Sequence, residues 1–165
     1  MGTKGIAIVG VDVSRLLKLL NKAYADEWLA YYQYWIGAKV IKGPMRGAVA
    51  AELAVHAGEE LKHAGMLAER IIQLGGTPLL APADWLKETT CGYAAPADPA
   101  VKAIVEQNLK GERCAIAVYQ KLLDAVKGKD HITQQIFLEI LEDEVEHEED
   151  LENFLEDIAM MKKTA

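Results

Sequence analysis

Long apolar runs are missing from this chain, and none approaches the roughly 20 residues that a membrane-spanning helix needs. No membrane partner is expected. The stretch GIAIVGVDV, residues 5–13, is too short for a span and lacks the flanks of a signal peptide, so the cytoplasm is the expected location. Cysteine is scarce as well. Only Cys91 and Cys114 occur, too few for a fold resting on a disulfide framework. Positive charge is in deficit, with 18 Lys and Arg against 25 Asp and Glu. The net charge of −7 argues against direct binding of a nucleic-acid backbone and suits small cations. What remains is 165 residues, 51% of them hydrophobic, which predicts one domain over 1–165 with a real core.

The punctuation predicts four long helices and one long interruption. Asp12 caps a run that stops at Gly43, and Pro44 opens a second that reaches Leu74, where Gly75 and Gly76 end it. Residues 75–98 read as a crossover loop, with one short helical turn around Ala83 to Lys87. Asp98 and Pro99 restart the chain into a third run ending near Lys127, and Asp130 caps a fourth that ends near Met161. Helices of about 30 residues are on the order of 45 Å long. The very short first and last turns make each flanking pair an antiparallel hairpin. The crossover can span on the order of 70 Å if extended, enough to start the third helix parallel to the second. The expected fold is therefore all-α, a four-helix bundle with one long crossover between its second and third helices.

Each helix carries an apolar stripe with a charged break near its middle. Phe137, Ile140, Leu141, Leu151, Phe154, Leu155 and Ile158 recur at three and four, but the same spacing passes through Glu144 and His147. In the first helix, Leu16, Leu20, Tyr24, Tyr31, Tyr34, Ala38 and Ile41 bracket Glu27. In the second, Val49, Leu53, His56, Leu67, Ile71 and Leu74 bracket Glu60 and His63. In the third, Val101, Val105, Asn108, Ala115, Tyr119, Leu122 and Val126 bracket Glu112.

Six side chains thus converge: Glu27, Glu60, His63, Glu112, Glu144 and His147. Four buried carboxylates would repel one another and each would cost several kcal/mol in desolvation, and the set contains no arginine or lysine to offset them. Two divalent ions would resolve both problems. The i, i+3 spacing within Glu60/His63 and Glu144/His147 puts each pair on one helix face. His56, one heptad before His63, reads as a seam histidine rather than a ligand, and His131 as solvated. Gly58, Gly65 and Gly111 beside these positions either permit close backbone approach or are tolerated accidents.

One Glu from each of two helices plus Glu-x-x-His from each of the other two is the pattern of carboxylate-bridged di-iron and di-manganese bundles. From Asp12 to Met161 the chain resembles the ferritin superfamily, with EELKHAGMLAERI and ILEDEVEHEEDLE similar in type to bacterioferritins and rubrerythrins. The resemblance implies that Glu59 and Asp143 accept from the outer nitrogens of the ligand imidazoles. It also places Tyr34 beside the metals. Leu61 stands where haem-binding bacterioferritins have methionine, so no haem is expected. The missing Cys-x-x-Cys pair disfavours a rubrerythrin, and the missing fifth helix favours a smaller cage. True Dps proteins build their iron site between subunits, whereas these ligands lie inside one bundle.

The class that fits is the Dps-like ferritins, or thioferritins, which keep two cysteines near a bacterioferritin-type site. By that resemblance Cys91 and Cys114 have a redox or disulfide role, although read alone they could be a buried apolar pair. The implied cofactors are two iron ions, with manganese or zinc as alternatives, and the implied partners are Fe(II) and hydrogen peroxide. The implied activity is a ferroxidase that stores iron and limits oxidative stress in a homo-oligomer, expected to be a dodecameric cage. Twelve copies at −7 each would carry about −84, a field that draws ferrous ions. A non-storing di-metal peroxidase, a manganese catalase and a structural metal-binding bundle are the competing readings.

Overall fold

The computed structural model of the chain describes residues 2–163 and contains six helices among them, with no strand. These are α1 (Thr3–Ala7), α2 (Val13–Val40), α3 (Arg46–Gln73), α4 (Pro82–Glu88), α5 (Val101–Val126) and α6 (His131–Lys163). The four long ones form an all-α bundle in which α2 pairs with α3 and α5 with α6, and the two pairs meet through α2–α5 and α3–α6.

The predicted caps are in place. Asp12 Oδ1 accepts from Arg15 N at 2.6 Å, and Asp130 Oδ1 accepts from Thr133 N at 3.2 Å. At the end of α3, Gly75 takes φ 82°, a left-handed conformation that a side chain would strain, and Gly76 N donates to Ile71 O at 2.9 Å. Two details differ from the sequence reading. Pro44 lies outside α3, because the tight reversal puts Met45 at φ 63° and the helix begins only at Arg46. The five-residue α1 was not expected, and it buries no residue, so it left no apolar period to read.

The crossover climbs the outside of α2. Asn21 Oδ1 accepts from Leu79 N, Asp26 Oδ1 from Thr90 N and Cys91 N, and Gln33 Oε1 from Ala94 N. At the top, Lys42 N donates to Pro99 O at 2.7 Å and Val101 N to Lys42 O at 2.9 Å. The start of α5 therefore sits beside the end of α2, and α5 runs parallel to α3, as predicted.

The apolar core is split in two. One half gathers Leu16, Leu20, Leu67, Ile71, Tyr119, Leu122, Phe137 and Ile140. The other gathers Tyr34, Val49, Leu53, Ile104, Val105, Leu109 and Leu151. Between them lies the polar layer where all four seams break.

Candidate metal centre

Each long helix delivers its mid-seam side chain to the same interior point. Glu27, Glu60, His63, Glu112, Glu144 and His147 are all at most 3% exposed. Two overlapping sets form. Ligand atoms of Glu27, Glu60, His63 and Glu144 lie within 4.8 Å of one another, and so do those of Glu60, Glu112, Glu144 and His147. Glu60 and Glu144 belong to both sets, which is the arrangement of two carboxylates able to bridge a pair of cations.

Hydrogen bonding alone does not satisfy this cluster. Both oxygens of Glu60, Oε2 of Glu27 and Nδ1 of His63 are buried without a hydrogen-bond partner. His63 Nδ1 lies 3.3 Å from Glu27 Oε2, 3.6 Å from Glu60 Oε2 and 3.8 Å from Glu144 Oε1. His147 Nδ1 is 3.2 Å from Glu144 Oε2, 3.4 Å from Glu60 Oε1 and 3.8 Å from Glu112 Oε2. These spacings suit atoms arranged around shared centres better than atoms bonded to each other. The donor set, carboxylates with imidazole, fits first-row divalent ions such as iron, manganese or zinc.

The electrostatics describe the same frustration. Burial, with the charge of Glu27 next, pushes Glu60 up to about 8. Burial, with Glu60 and Glu112, drives Glu144 well above the usual carboxylate range. Burial opposes charge on His63, yet Glu27 and Glu60 push it up to about 11. Burial also opposes charge on His147, and Glu112 and Glu144 overcome it to raise its pKa. For Glu27, burial works upward, but the close His63 imidazole, the Glu60 carboxyl and the Tyr119 hydroxyl together prevail and lower it.

The surrounding residues orient it. Asp143 Oδ2 lies 2.9 Å from Nε2 of His63, and Glu59 Oε2 lies 2.9 Å from Nε2 of His147. Each acid reaches across the α3–α6 interface to the other helix's imidazole. Tyr34 donates its hydroxyl to Glu112 Oε1. Tyr119 donates likewise to Glu27 Oε1, a role the sequence reading missed by assigning Tyr119 to the apolar stripe. Burial, aided by the adjacent carboxylate charge, raises both phenols well above their ordinary range.

Cys91 and Cys114 form a disulfide with Cα atoms 5.8 Å apart. Cys91 is half-buried, because Asp26 accepts from its backbone N–H at 2.9 Å and holds the crossover against α2. Asp26 was also missed. Both cysteines line a cavity of about 370 Å³ that Glu27, Tyr34, Glu60, Glu112 and Glu144 also line, so the disulfide shares a space with the cluster. Arg70 is buried too, but it is committed to Asp130, with its guanidinium 2.9 Å from both carboxylate oxygens. His131 is exposed, as expected. Of the two glycine readings, close approach within the chain is not found: a Cβ on Gly58 or Gly65 would meet nothing within 4 Å, and one on Gly111 only Gln33 at 3.7 Å. No helix among the described residues is long and apolar enough to cross a membrane.

Known proteins resemble this chain over most of its length. A family profile described as the ferritin-like domain matches residues 17–161. A protein named DNA protection during starvation protein from Pyrococcus furiosus is 35% identical over 148 residues, which cover 88% of this chain and 80% of the relative. A bacterioferritin from Desulfovibrio desulfuricans is 30% identical over 81% of this chain and 70% of the relative. Among solved structures, the dodecameric thioferritin from Bacteroides fragilis, described as bacterioferritin-related, superposes with a TM-score of 0.97 at 43% identity. The match covers 99% of this chain and 98% of that one. The Dps of Thermosynechococcus elongatus shares the fold, with a TM-score of 0.82 at 22% identity over 86% of this chain and 90% of that one.

Proposed function

Because the chain belongs to the ferritin-like family, we propose that it is a ferroxidase that takes Fe(II) as substrate, oxidises it in pairs with hydrogen peroxide and stores the ferric product. The observation that carries this reading is the pair of buried four-residue sets sharing Glu60 and Glu144, with atoms that nothing in the bundle satisfies.

Glu27 and His63 would hold one iron, Glu112 and His147 the other, and Glu60 and Glu144 would contact both. Four carboxylates against two divalent ions leave no net charge in the buried layer, which removes the repulsion that otherwise raises Glu60 and Glu144. Bound there, two ferrous ions can each give up one electron. Hydrogen peroxide accepts both and, with two protons, leaves as two waters, which avoids the single-electron step that releases hydroxyl radical. Asp143 and Glu59 keep the Nδ1 atoms of the two imidazoles aimed inward. Tyr34 and Tyr119 fix the outer carboxylates by their hydroxyl donors. The cavity under the crossover gives a small oxidant a way in, past the Cys91–Cys114 pair, to which we assign a redox role at this entrance.

Storage requires an enclosed volume, so the working form is a homo-oligomeric cage, and the likeness to a dodecameric thioferritin supports twelve copies. Leu61 supports a site without haem. Counting iron per chain after aerobic ferrous loading tests the proposal. Many more than about two ions per chain is the expected result. A count that stops at two would favour a non-storing peroxidase or catalase, and a count with no oxidation would favour a structural metal site.

A further inference from the structure

Among the described residues, His56 belongs to two groups of metal-ligating side chains: one with Glu59 and His147, which are already engaged with each other at the centre, and one that lies wholly outside it. Glu52 and His56 are one turn apart on α3, and Asp150 faces them from α6, one turn after His147. We propose that Glu52, His56 and Asp150 form a third metal site, for a divalent first-row cation, which stages ions next to the paired centre. The staging role rests on the ferroxidase reading, while the binding itself does not.

The distances separate this group from ordinary histidine hydrogen bonds in the same molecule. Where an imidazole is held by an acid, as in His63–Asp143 and His147–Glu59, the separation is 2.9 Å. His56 Nε2 is 3.4 Å from Asp150 Oδ2 and 3.6 Å from Glu52 Oε1. Those values fall inside the 3.2 to 3.8 Å spread found around the inward nitrogens of His63 and His147. They also match the geometry of a shared ion. Two ligand atoms each about 2.1 Å from a tetrahedral metal stand about 3.4 Å apart. Two carboxylates and one neutral imidazole supply two negative charges, which one dication balances.

Burial adds an independent argument. His56 is 1% exposed and its Nδ1 has no hydrogen-bond partner, an uncommon state for a buried ring nitrogen. Glu52 and Asp150 have side chains 36% exposed, so the group joins solvent to the interior with the histidine at its inner end. The His56 ring then stacks on His147, with centroids 4.0 Å apart and planes 24° from parallel. An ion on Nε2 would stand next to the paired centre. It would reach it along the α3–α6 side, whereas the cavity with the disulfide opens between α2, α5 and the crossover. The free Nδ1 also sets the affinity. His63 and His147 are anchored by an acid at their outer nitrogens, but His56 is not, so this site binds more weakly, by about ten-fold or more. Weak binding suits an ion in transit.

The test is an anaerobic Co(II) titration of the assembled protein followed by visible absorption. The wild type should take up a tight pair per chain and then one weaker ion. E52Q/D150N, which alters only half-exposed side chains, and H56L should each lose the weaker ion while keeping the tight pair. E60Q/E144Q should lose the tight pair and keep the weaker ion, which separates failure of this site from failure of the centre. Circular dichroism and size-exclusion chromatography check H56L, and if that variant misfolds the double variant decides alone. A wild type that saturates at the tight pair, or a weaker ion that survives in E52Q/D150N, overturns the proposal.

Discussion

Glu59 on α3 holds the ring of His147 on α6, its Oε2 2.9 Å from Nε2, and Asp143 on α6 returns the contact to His63 on α3 at the same distance. The two Glu-x-x-His segments therefore orient each other. Replacing Glu59 or Asp143 with alanine should weaken metal binding by about 10- to 100-fold while leaving helix content unchanged. Competition for Co(II) against a chelator measures this, and unchanged affinity would show that the two acids are only surface charges.

Tyr119→Phe should destabilise the metal-free protein by about 1 to 3 kcal/mol, because the buried Glu27 Oε1 loses the phenolic O–H that donates to it. Tyr34→Phe should act similarly through Glu112. Differential scanning calorimetry of metal-free samples checks both, and midpoints equal to the wild type would contradict the assignment.

A second buried charge pair ties α3 to the start of α6. Asp130 lies below the usual carboxylate range: burial works upward, but the Thr133 hydroxyl and the Arg70 guanidinium outweigh it. A carboxyl lowered in the folded state contributes stability above its unfolded value near 4 and loses it as pH falls through the folded value. Asp130→Asn leaves Arg70 buried without its partner, at a cost of about 3 kcal/mol or more near neutral pH. The gap between wild type and variant should narrow as pH drops below about 4. A gap that is constant from pH 6 to 2 in thermal unfolding would remove Asp130 as the source.

The disulfide closes a loop with a sequence separation of 23, which by loop-closure entropy is worth about 3 kcal/mol. C91S/C114S should therefore unfold at a lower temperature than the oxidised wild type, and dithiothreitol should lower the wild type to the same midpoint without affecting the variant. Asp26 should still hold Thr90 and Cys91's position by backbone bonds, so the bundle should remain assembled. A wild type insensitive to reductant would contradict this pairing.

The bundle and its six central residues were legible because a helical apolar period makes a charged break visible, and four breaks at matching depths point to one place. Glu59, Asp143 and Tyr34 could be placed only through resemblance to known bundles, since an acid beside Glu60 or Glu144 and a tyrosine in a seam have common bland explanations. Tyr119 and Asp26 escaped for two physical reasons. The ring of Tyr119 fills a core position, so periodicity registers its apolar body and not its hydroxyl. Asp26 bonds to Thr90 and Cys91, more than sixty residues away in a segment with no period of its own. His56 reads as a seam histidine and is buried at 1% exposure, while its contacts with Glu52 and with Asp150, the latter 94 residues away, leave no mark in the helical period.

The most direct test of the account is an anomalous-scattering map at the iron edge from crystals loaded anaerobically with two Fe(II) per chain. Two peaks are expected inside each bundle, one contacting Glu27 and His63 and the other Glu112 and His147, with Glu60 and Glu144 touching both. A map with no peak among these six residues, or with their side chains turned to solvent, would contradict it.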